Sequence, residues 1–502
     1  MSNSNRELNP GEGQGEHPGT QFLPVIRRPE GHEYFFWGGV PISKRALSAP
    51  HFILLGQPKS GKTWSIRMLM QSALGGNPAP RHRAVVFDPK REALPVLLGM
   101  GIPLDRLVVM HPFDSRATAW DIAADLADKA SIRQFAETLC PTTGGAKDPY
   151  WTKAAARLLE GGIHGIIHRQ GKEWSLWDVV ELMASPEALS DCLEETNFGR
   201  RRKRFFLDQG KEASKGVLST LFSNLSQYED IAELWRDAKT KVSLKAWLQS
   251  GSILLLGSDP MRAESINPIN QAIFQRISEL VSSRTEEDPL DETWFFIDEA
   301  REVGKLRGLR TLMNLSRSKG ARVVLGVQDK HGLSAVYGKD EALELLSAAS
   351  NLGVLSLGCP ETAEWASKYF GEYEAREPEV SESFSRDRKR DEVWYWPDRS
   401  STTVRYQKKS MKAVLPQQLM RLPLATPRGG ICGVFASDVI GIWSTNILPE
   451  EVVKHTSEKA NVPAFVPREL RVQQALPEPA QQSLPLDDEA EKFRFRTMDG
   501  AD

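Results

Sequence analysis

The sequence predicts an α/β fold, a mostly parallel sheet flanked by helices and interrupted by an inserted all-α domain. Three observations carry this. Short apolar runs such as Phe52–Leu55, Ala84–Phe87 and Trp294–Ile297 alternate with helical stretches, as parallel strands buried on both faces do. From about residue 118 to 250 the apolar spacing turns helical, with no convincing strand. Strand patterns then resume at Ser252–Leu256. At 502 residues the chain has room for about two to four domains.

Taken in order, residues 1–20 are a polar, Gly-rich tail expected to be disordered. Phe22–Ile26 and Tyr34–Trp37 read as small strands packed on the main domain. Phe52–Leu55 then runs into Gly56-x-x-x-x-Gly61-Lys62-Thr63 and a helix from about Trp64 to Leu74. This is the P-loop pattern between the strand and helix that give it meaning. The backbone of Gly56, Gln57, Pro58, Lys59, Ser60, Gly61, Lys62 and Thr63 would wrap phosphate oxygens, aided by the positive end of the helix. Lys62 would reach the β- and γ-phosphates and the Thr63 hydroxyl would sit on Mg²⁺, so ATP with Mg²⁺ is the expected ligand. A chance Gly/Lys loop would not need both flanking elements.

Ala84–Asp88 and Leu107–Met110 are the next strands. The helical block follows, with Ala155, Leu158, Leu159, Ile163, Ile166 and Ile167 forming one stripe within Trp151–His168. Further helices are expected at Leu176–Met183, Pro186–Glu195 and about Leu207–Tyr228. Residues 118–250 therefore form the inserted domain, and 21–117 with 251–447 one discontinuous nucleotide-binding domain. After Ser252–Leu256 come a helix from about Pro268 to Ser283 and strands at Trp294–Ile297, Arg322–Gln328 and Gly353–Leu357. Residues 372–410 read as charged and irregular, with one exposed strand near Val393–Trp396. A closing hairpin at Gly433–Phe435 and Ile440–Trp443 precedes a Pro-, Gln- and Glu-rich tail, 448–502, expected to be disordered.

Composition excludes several classes. Hydrophobic and charged fractions of 40% and 26% are those of a globular protein. A net charge of −2 offers no global basic field, so any nucleic-acid surface must be a local patch or a pore lining. Cys140, Cys192, Cys359 and Cys432 are far apart and suit a reducing compartment rather than a disulfide or zinc scaffold. With no apolar run of about 18 residues, the expectation is a cytoplasmic chain with no integral membrane segment.

Four further residues complete the candidate site. In a chain with a P-loop, four apolar residues followed by Asp298-Glu299 suit the magnesium-binding strand of an ATPase. Asp298 would hold the metal through water beside Thr63, and Glu299 would polarise the attacking water; the bland alternative is a helix start with acids at its dipole. From Lys62 to Asp298 is 236 residues, a gap that the inserted block explains. Gln328, 29 residues after Glu299, either touches a γ-phosphate or ends a strand in a solvated turn. Arg317, 18 residues after Glu299, either reaches a neighbouring subunit's nucleotide or complements a helix dipole. The basic runs Arg200–Arg204, flanked by Phe198, Phe205 and Phe206, and Arg386–Arg390 are either DNA-backbone contacts or solvated faces.

The segments LLGQPKSGKT, VVFDPKRE, HPFDSRATAWD, DPYWTKAAARLL, FFIDEAREVGKLRGLRTLMNLSRSKGARVVLGVQDKHGLSAVYG and AVLPQQLMRLP, in this order, resemble the type IV secretion coupling proteins. These are the TraD/TraG/TrwB group of conjugative DNA-transfer ATPases, within the FtsK/HerA-like class of RecA-fold motors. The resemblance spans roughly residues 35 to 447. It implies a RecA-like P-loop domain with an inserted all-α domain, DNA-stimulated ATP hydrolysis, and a hexamer around single- or double-stranded DNA. By motif position Lys62 and Thr63 match the P-loop pair, Asp298 and Glu299 the acidic pair, Gln328 the glutamine sensor and Arg317 the arginine finger. Relaxase and secretion-channel proteins are the implied partners. Typical members begin with transmembrane helices, whereas this sequence begins with the polar tail. The expectation is that a partner brings it to the inner face of the membrane. Two other readings stay open, a soluble FtsK/HerA-like motor in DNA processing or defence, and an ATP-switched adaptor recruiting cargo to a secretion channel.

Overall fold

A computed structural model describes residues 34–43, 51–75, 82–141, 150–208, 210–285, 292–385 and 399–468. The expectations for 1–20, Phe22–Ile26, Arg386–Arg390, Val393–Trp396 and the 469–502 part of the tail fall outside these residues.

Nine strands form the central sheet: β1 Phe52–Leu55, β2 Arg83–Asp88, β3 Leu107–Val109, β4 Ile253–Gly257, β5 Thr293–Ile297, β6 Ala321–Val327, β7 Asn351–Val354, β8 Ile431–Ser437 and β9 Gly441–Ile447. Their order is β9-β8-β7-β1-β6-β5-β2-β4-β3. The seven from β7 to β3 pair in parallel, and β8 and β9 close one edge antiparallel, as the expected terminal hairpin. β1, β4 and β5 are buried at every position, because strands covered on both faces need apolar residues throughout. Beside them, Trp294 stacks on Phe296 at 5.5 Å and meets Phe35 edge-on at 5.0 Å. Phe35 belongs to the hairpin Tyr34–Trp37/Val40–Ser43, whose Trp37 packs on Phe52 and Phe435.

The inserted domain leaves the sheet after β3 and returns at β4, its direct neighbour. Its neck is a two-residue parallel pairing of Ala119–Trp120 with Lys241–Val242, too short to give a sequence signal. The fully buried Asp125 seals the neck, accepting from Trp120 Nε1 at 2.8 Å and Leu244 N at 2.7 Å. Within the domain, Tyr150–Gln170 is the central helix, and its buried Glu160 pairs with Arg133, Arg157 and Arg202 at 3.1–3.3 Å. The helix expected at about Leu207–Tyr228 is present as Lys211–Ser226, and a further helix that the pattern did not single out, Asn197–Phe206, precedes it, the two parted around Gly210 at φ +141°.

Two stretches that looked irregular are ordered. Glu372–Ser385 and Arg399–Lys412 pair as a long antiparallel ribbon from Glu372↔Lys412 to Ser385↔Arg399. Among its described side chains none is buried, so no apolar alternation marks those positions in the sequence. Past residue 448, helix Pro449–Lys454 and the segment to Pro467 pack on the domain. This segment is held by backbone hydrogen bonds such as Ala460 N to Pro95 O, 2.9 Å, and by the bridge Asp114↔Pro467. Such contacts need no apolar periodicity, which is why composition alone misread residues 449–467 as tail. Among the described residues no helix is long and apolar enough to cross a membrane.

Candidate nucleotide-binding site

The P-loop follows β1 and caps helix α1, Lys62–Leu74. Its curl depends on Gly56, where a Cβ would overlap Ser60 Oγ, and on Gly61, held left-handed at φ +102°. Lys59 is also left-handed at φ +64°, a conformation that an L side chain adopts only where its surroundings hold it. Here they do: Gly56 N donates to Val327 O at 3.1 Å, Gln57 N to Ser356 O at 2.8 Å, and Ala425 N to Lys59 O at 3.1 Å. The loop is thus clamped by β6, by the end of β7 and by the segment ahead of β8.

Lys62 is buried and folds back over the loop, donating from Nζ to Gly56 O at 2.6 Å and to Gln57 O at 3.5 Å. Burial lowers its pKa, and Glu299 and Asp298 oppose that shift. Thr63 Oγ1 donates to Asp298 Oδ2 at 2.7 Å. Burial raises the Asp298 pKa, and the hydrogen bond from Thr63 pulls it back. Its other oxygen, Oδ1, is out of solvent and has no hydrogen-bond partner. An unpartnered carboxylate oxygen next to a threonine hydroxyl is the donor set that Mg²⁺ favours, so these residues fit the ion. Lys62 likewise holds carbonyl oxygens where phosphate oxygens could replace them.

Glu299 accepts from Gln328 Nε2 at 3.1 Å. The two meet because β5 and β6 are parallel neighbours, Ile297 opposite Leu325, and both residues stand just past their strands' carboxyl ends. Gly326 permits the approach, since a Cβ there would overlap the Asp298 carbonyl oxygen. Sequence reasoning missed Gly326, whose only signal is a glycine inside an apolar strand.

Arg317 does not join this cluster. It opens the short turn Arg317–Lys319 ahead of β6, at the amino end of the sheet, and is exposed. Seven residues of strand put it on the order of 20 Å from Gln328. The basic run Arg200–Arg204 lies on one helix and divides its roles. Arg202 pairs with buried Glu160 and lies over Phe198, Lys203 pairs with Glu194, and Arg200, Arg201 and Arg204 face solvent. Phe206 is core; Phe205 is exposed.

A cleft of about 920 Å³ opens over the P-loop, lined at one end by Lys62, Thr63, Lys90 and Glu299. It is also lined by residues of the segments 425–431 and 449–459, which carry no motif. Arg67 and Glu92, ion-paired at 3.0 Å, lie along its side.

Residues 35–431 match the family model of the type IV secretion-system coupling protein DNA-binding domain. Coupling protein TraD of Escherichia coli (strain K12) is 22% identical over 377 residues, 73% of this chain and 50% of TraD. Protein VirD4 of Rhizobium radiobacter is 23% identical over 287 residues, 54% of this chain and 41% of VirD4. The chain thus spans about half the length of the curated relatives it matches. Among solved structures, the unbound conjugative coupling protein TrwBdeltaN70 superposes with a TM-score of 0.68 at 21% identity, covering 88% of this chain and 92% of that one. TrwB in complex with ADP and Mg²⁺ gives 0.67 at 21% identity, covering 88% and 94%. At such identities the likeness is one of fold, the RecA-like sheet with its helical insertion.

Proposed function

This chain belongs to the type IV secretion-system coupling protein family, and we propose that it is an ATP-hydrolysing motor that translocates DNA as a hexameric ring, serving conjugative transfer or the mobilisation of mobile elements. The observation that supports the hydrolytic part is the pair of contacts Thr63–Asp298 and Glu299–Gln328, two carboxylates, a hydroxyl and an amide that meet at the carboxyl ends of the central strands.

In this reading Lys62 exchanges the Gly56 and Gln57 carbonyls for β- and γ-phosphate oxygens. Thr63 and Asp298 would hold Mg²⁺, which would supply charge neutralisation at the phosphates. Glu299 takes the proton of the attacking water, and Gln328 holds that carboxylate in position and senses the γ-phosphate. Arg317, exposed at the opposite end of the sheet, serves the site of the adjacent subunit, where its charge stabilises the transition state. DNA as the cargo is supported by the family's DNA-binding domain, which covers most of the chain. A relaxase delivers that DNA, and channel proteins hold the ring at the inner face of the membrane.

The test is ATP hydrolysis by the purified chain, with and without single- and double-stranded DNA at low salt. The proposal expects stimulation by DNA, and loss of activity with retained ATP binding in Glu299→Gln. Hydrolysis that no DNA changes would remove the motor reading.

A further inference from the structure

The ribbon Glu372–Ser385/Arg399–Lys412 is divided by charge along its length. The sequence of its first strand carries five glutamates, among them Glu372, Glu374 and Glu379, against the single cation Arg376. Its second strand carries five cations, among them Arg405, Lys408 and Lys409, and no acid. We propose that this ribbon is a contact surface between copies of the chain, the acidic strand of one lying along the basic strand of the next. This rests on the ring proposed above and names an element that joins its subunits.

The ribbon is rooted at one end and uncovered beyond it. At its base Gly371, left-handed at φ +81°, follows helix Pro360–Phe370 and accepts from Ala413 N at 2.9 Å, while Ser367 Oγ donates to Val414 O at 2.6 Å. From there each strand's 14 residues span on the order of 45 Å. No third strand joins the pair among the described residues. None of the described side chains on either strand is buried, and Val380, Val404 and Tyr406 are 57%, 49% and 70% exposed. The pairs Val380↔Val404 and Pro378↔Tyr406 are two positions apart, which puts those apolar groups on one face. Two strands without a covered face are marginal by themselves, and an outer edge is a row of backbone groups open to another strand.

Charge decides which partner can cover those edges. Two ribbons meeting through the same edge would set glutamates beside glutamates, or lysines beside lysines, which is unfavourable. Unlike edges attract. Where copies follow one another around a ring, their ribbons point the same way, so the first strand of one runs antiparallel to the second strand of the next, as it does within a ribbon. The register that sets Glu372 opposite Lys412 and Glu379 opposite Arg405 inside one ribbon is thereby available across the junction. Pro378 supplies no N–H, so the junction relies on the other backbone groups and on the charge pairs.

Native mass and sedimentation of the full chain test this. Arg405→Gln/Lys408→Gln/Lys409→Gln should weaken self-association by about tenfold and flatten its dependence on salt. An exchange variant, Glu374→Lys/Glu379→Lys/Arg405→Glu/Lys408→Glu, keeps opposite charges facing each other within its own ribbon. It should assemble with itself as the parent does and stay out of mixed assemblies with differently tagged parent chains. If the glutamine variant loses its fold, the exchange variant decides. Free mixing of the exchange variant with the parent overturns the proposal and leaves the ring reading standing. A parent that stays monomeric with and without nucleotide and DNA removes both. Weaker DNA binding by the glutamine variant with unchanged self-association would assign the basic strand to nucleic acid and overturn the proposal.

Discussion

Thr63 Oγ1 and Asp298 Oδ2 lie 2.7 Å apart, although 235 residues and the whole inserted domain separate them in the chain. The contact exists because β1 and β5 both flank β6 in parallel, which brings the starts of their following loops to the same, carboxyl end of the sheet. Replacing Asp298 by Asn keeps an acceptor for Thr63 but removes the charge that would hold the metal. Asp298→Asn should fold as the parent does and lose ATP hydrolysis by at least about 100-fold, with the Mg²⁺ dependence of nucleotide binding flattened. Titration of Mg²⁺ at fixed nucleotide is the measurement; an unchanged metal dependence would reassign the carboxylate.

Gly326 sits where any side chain would strike the Asp298 carbonyl. Gly326→Val should therefore push the β5 tip away from β6, cost about 1–3 kcal/mol of stability and separate Glu299 from Gln328. Thermal unfolding and ATPase activity should fall together. A variant of parental stability and activity would show that the strand tips have slack there.

Arg317 is exposed at the amino end of β6, away from the P-loop of its own chain, so the proposed role requires a neighbouring subunit. Arg317→Ala should bind ATP normally and fail to hydrolyse it. Mixed with Lys62→Ala, which should itself be inactive, it should recover measurable activity, because the Lys62→Ala subunit would lend its arginine to the intact P-loop beside it. No recovery on mixing, with mixed rings verified by native mass, would return Arg317 to a surface role.

His51, at the entry to β1, is buried, and its Nδ1 accepts from Val323 N at 3.1 Å. Burial holds its pKa down at about 3, against 6.5 for a free histidine. The folded state therefore resists a proton that the unfolded chain accepts below 6.5. Stability is complete above that pH and is lost as pH falls toward 3, by about 2 kcal/mol at pH 5 from this residue alone. His51→Asn, which keeps an acceptor and cannot titrate, should lose less stability between pH 7.5 and 5 than the parent does. Parallel curves in a denaturation series would show that His51 is not the group responsible.

Much of the site was legible because it is built from local patterns. The strand–glycine loop–helix of Phe52–Leu74 and the apolar run ending in Asp298-Glu299 each carry their meaning within about a dozen residues, and both lie where expected. The inserted domain was legible for the same reason, since helical periodicity along Tyr150–Gln170 needs no knowledge of its partners.

Other features depend on contacts between distant segments, which leave no local period. The meeting of Glu299 with Gln328 required the order of β5 and β6, and the placing of Arg317 required knowing which end of β6 faces the P-loop. Among the described side chains of the ribbon strands Glu372–Ser385 and Arg399–Lys412 none is buried, and Pro449–Lys459 is held by backbone hydrogen bonds and a few docked side chains. The P-loop and the acidic strand end can be read from residues that are neighbours in the chain. The rest of the cleft over them is made by residues that only folding brings together.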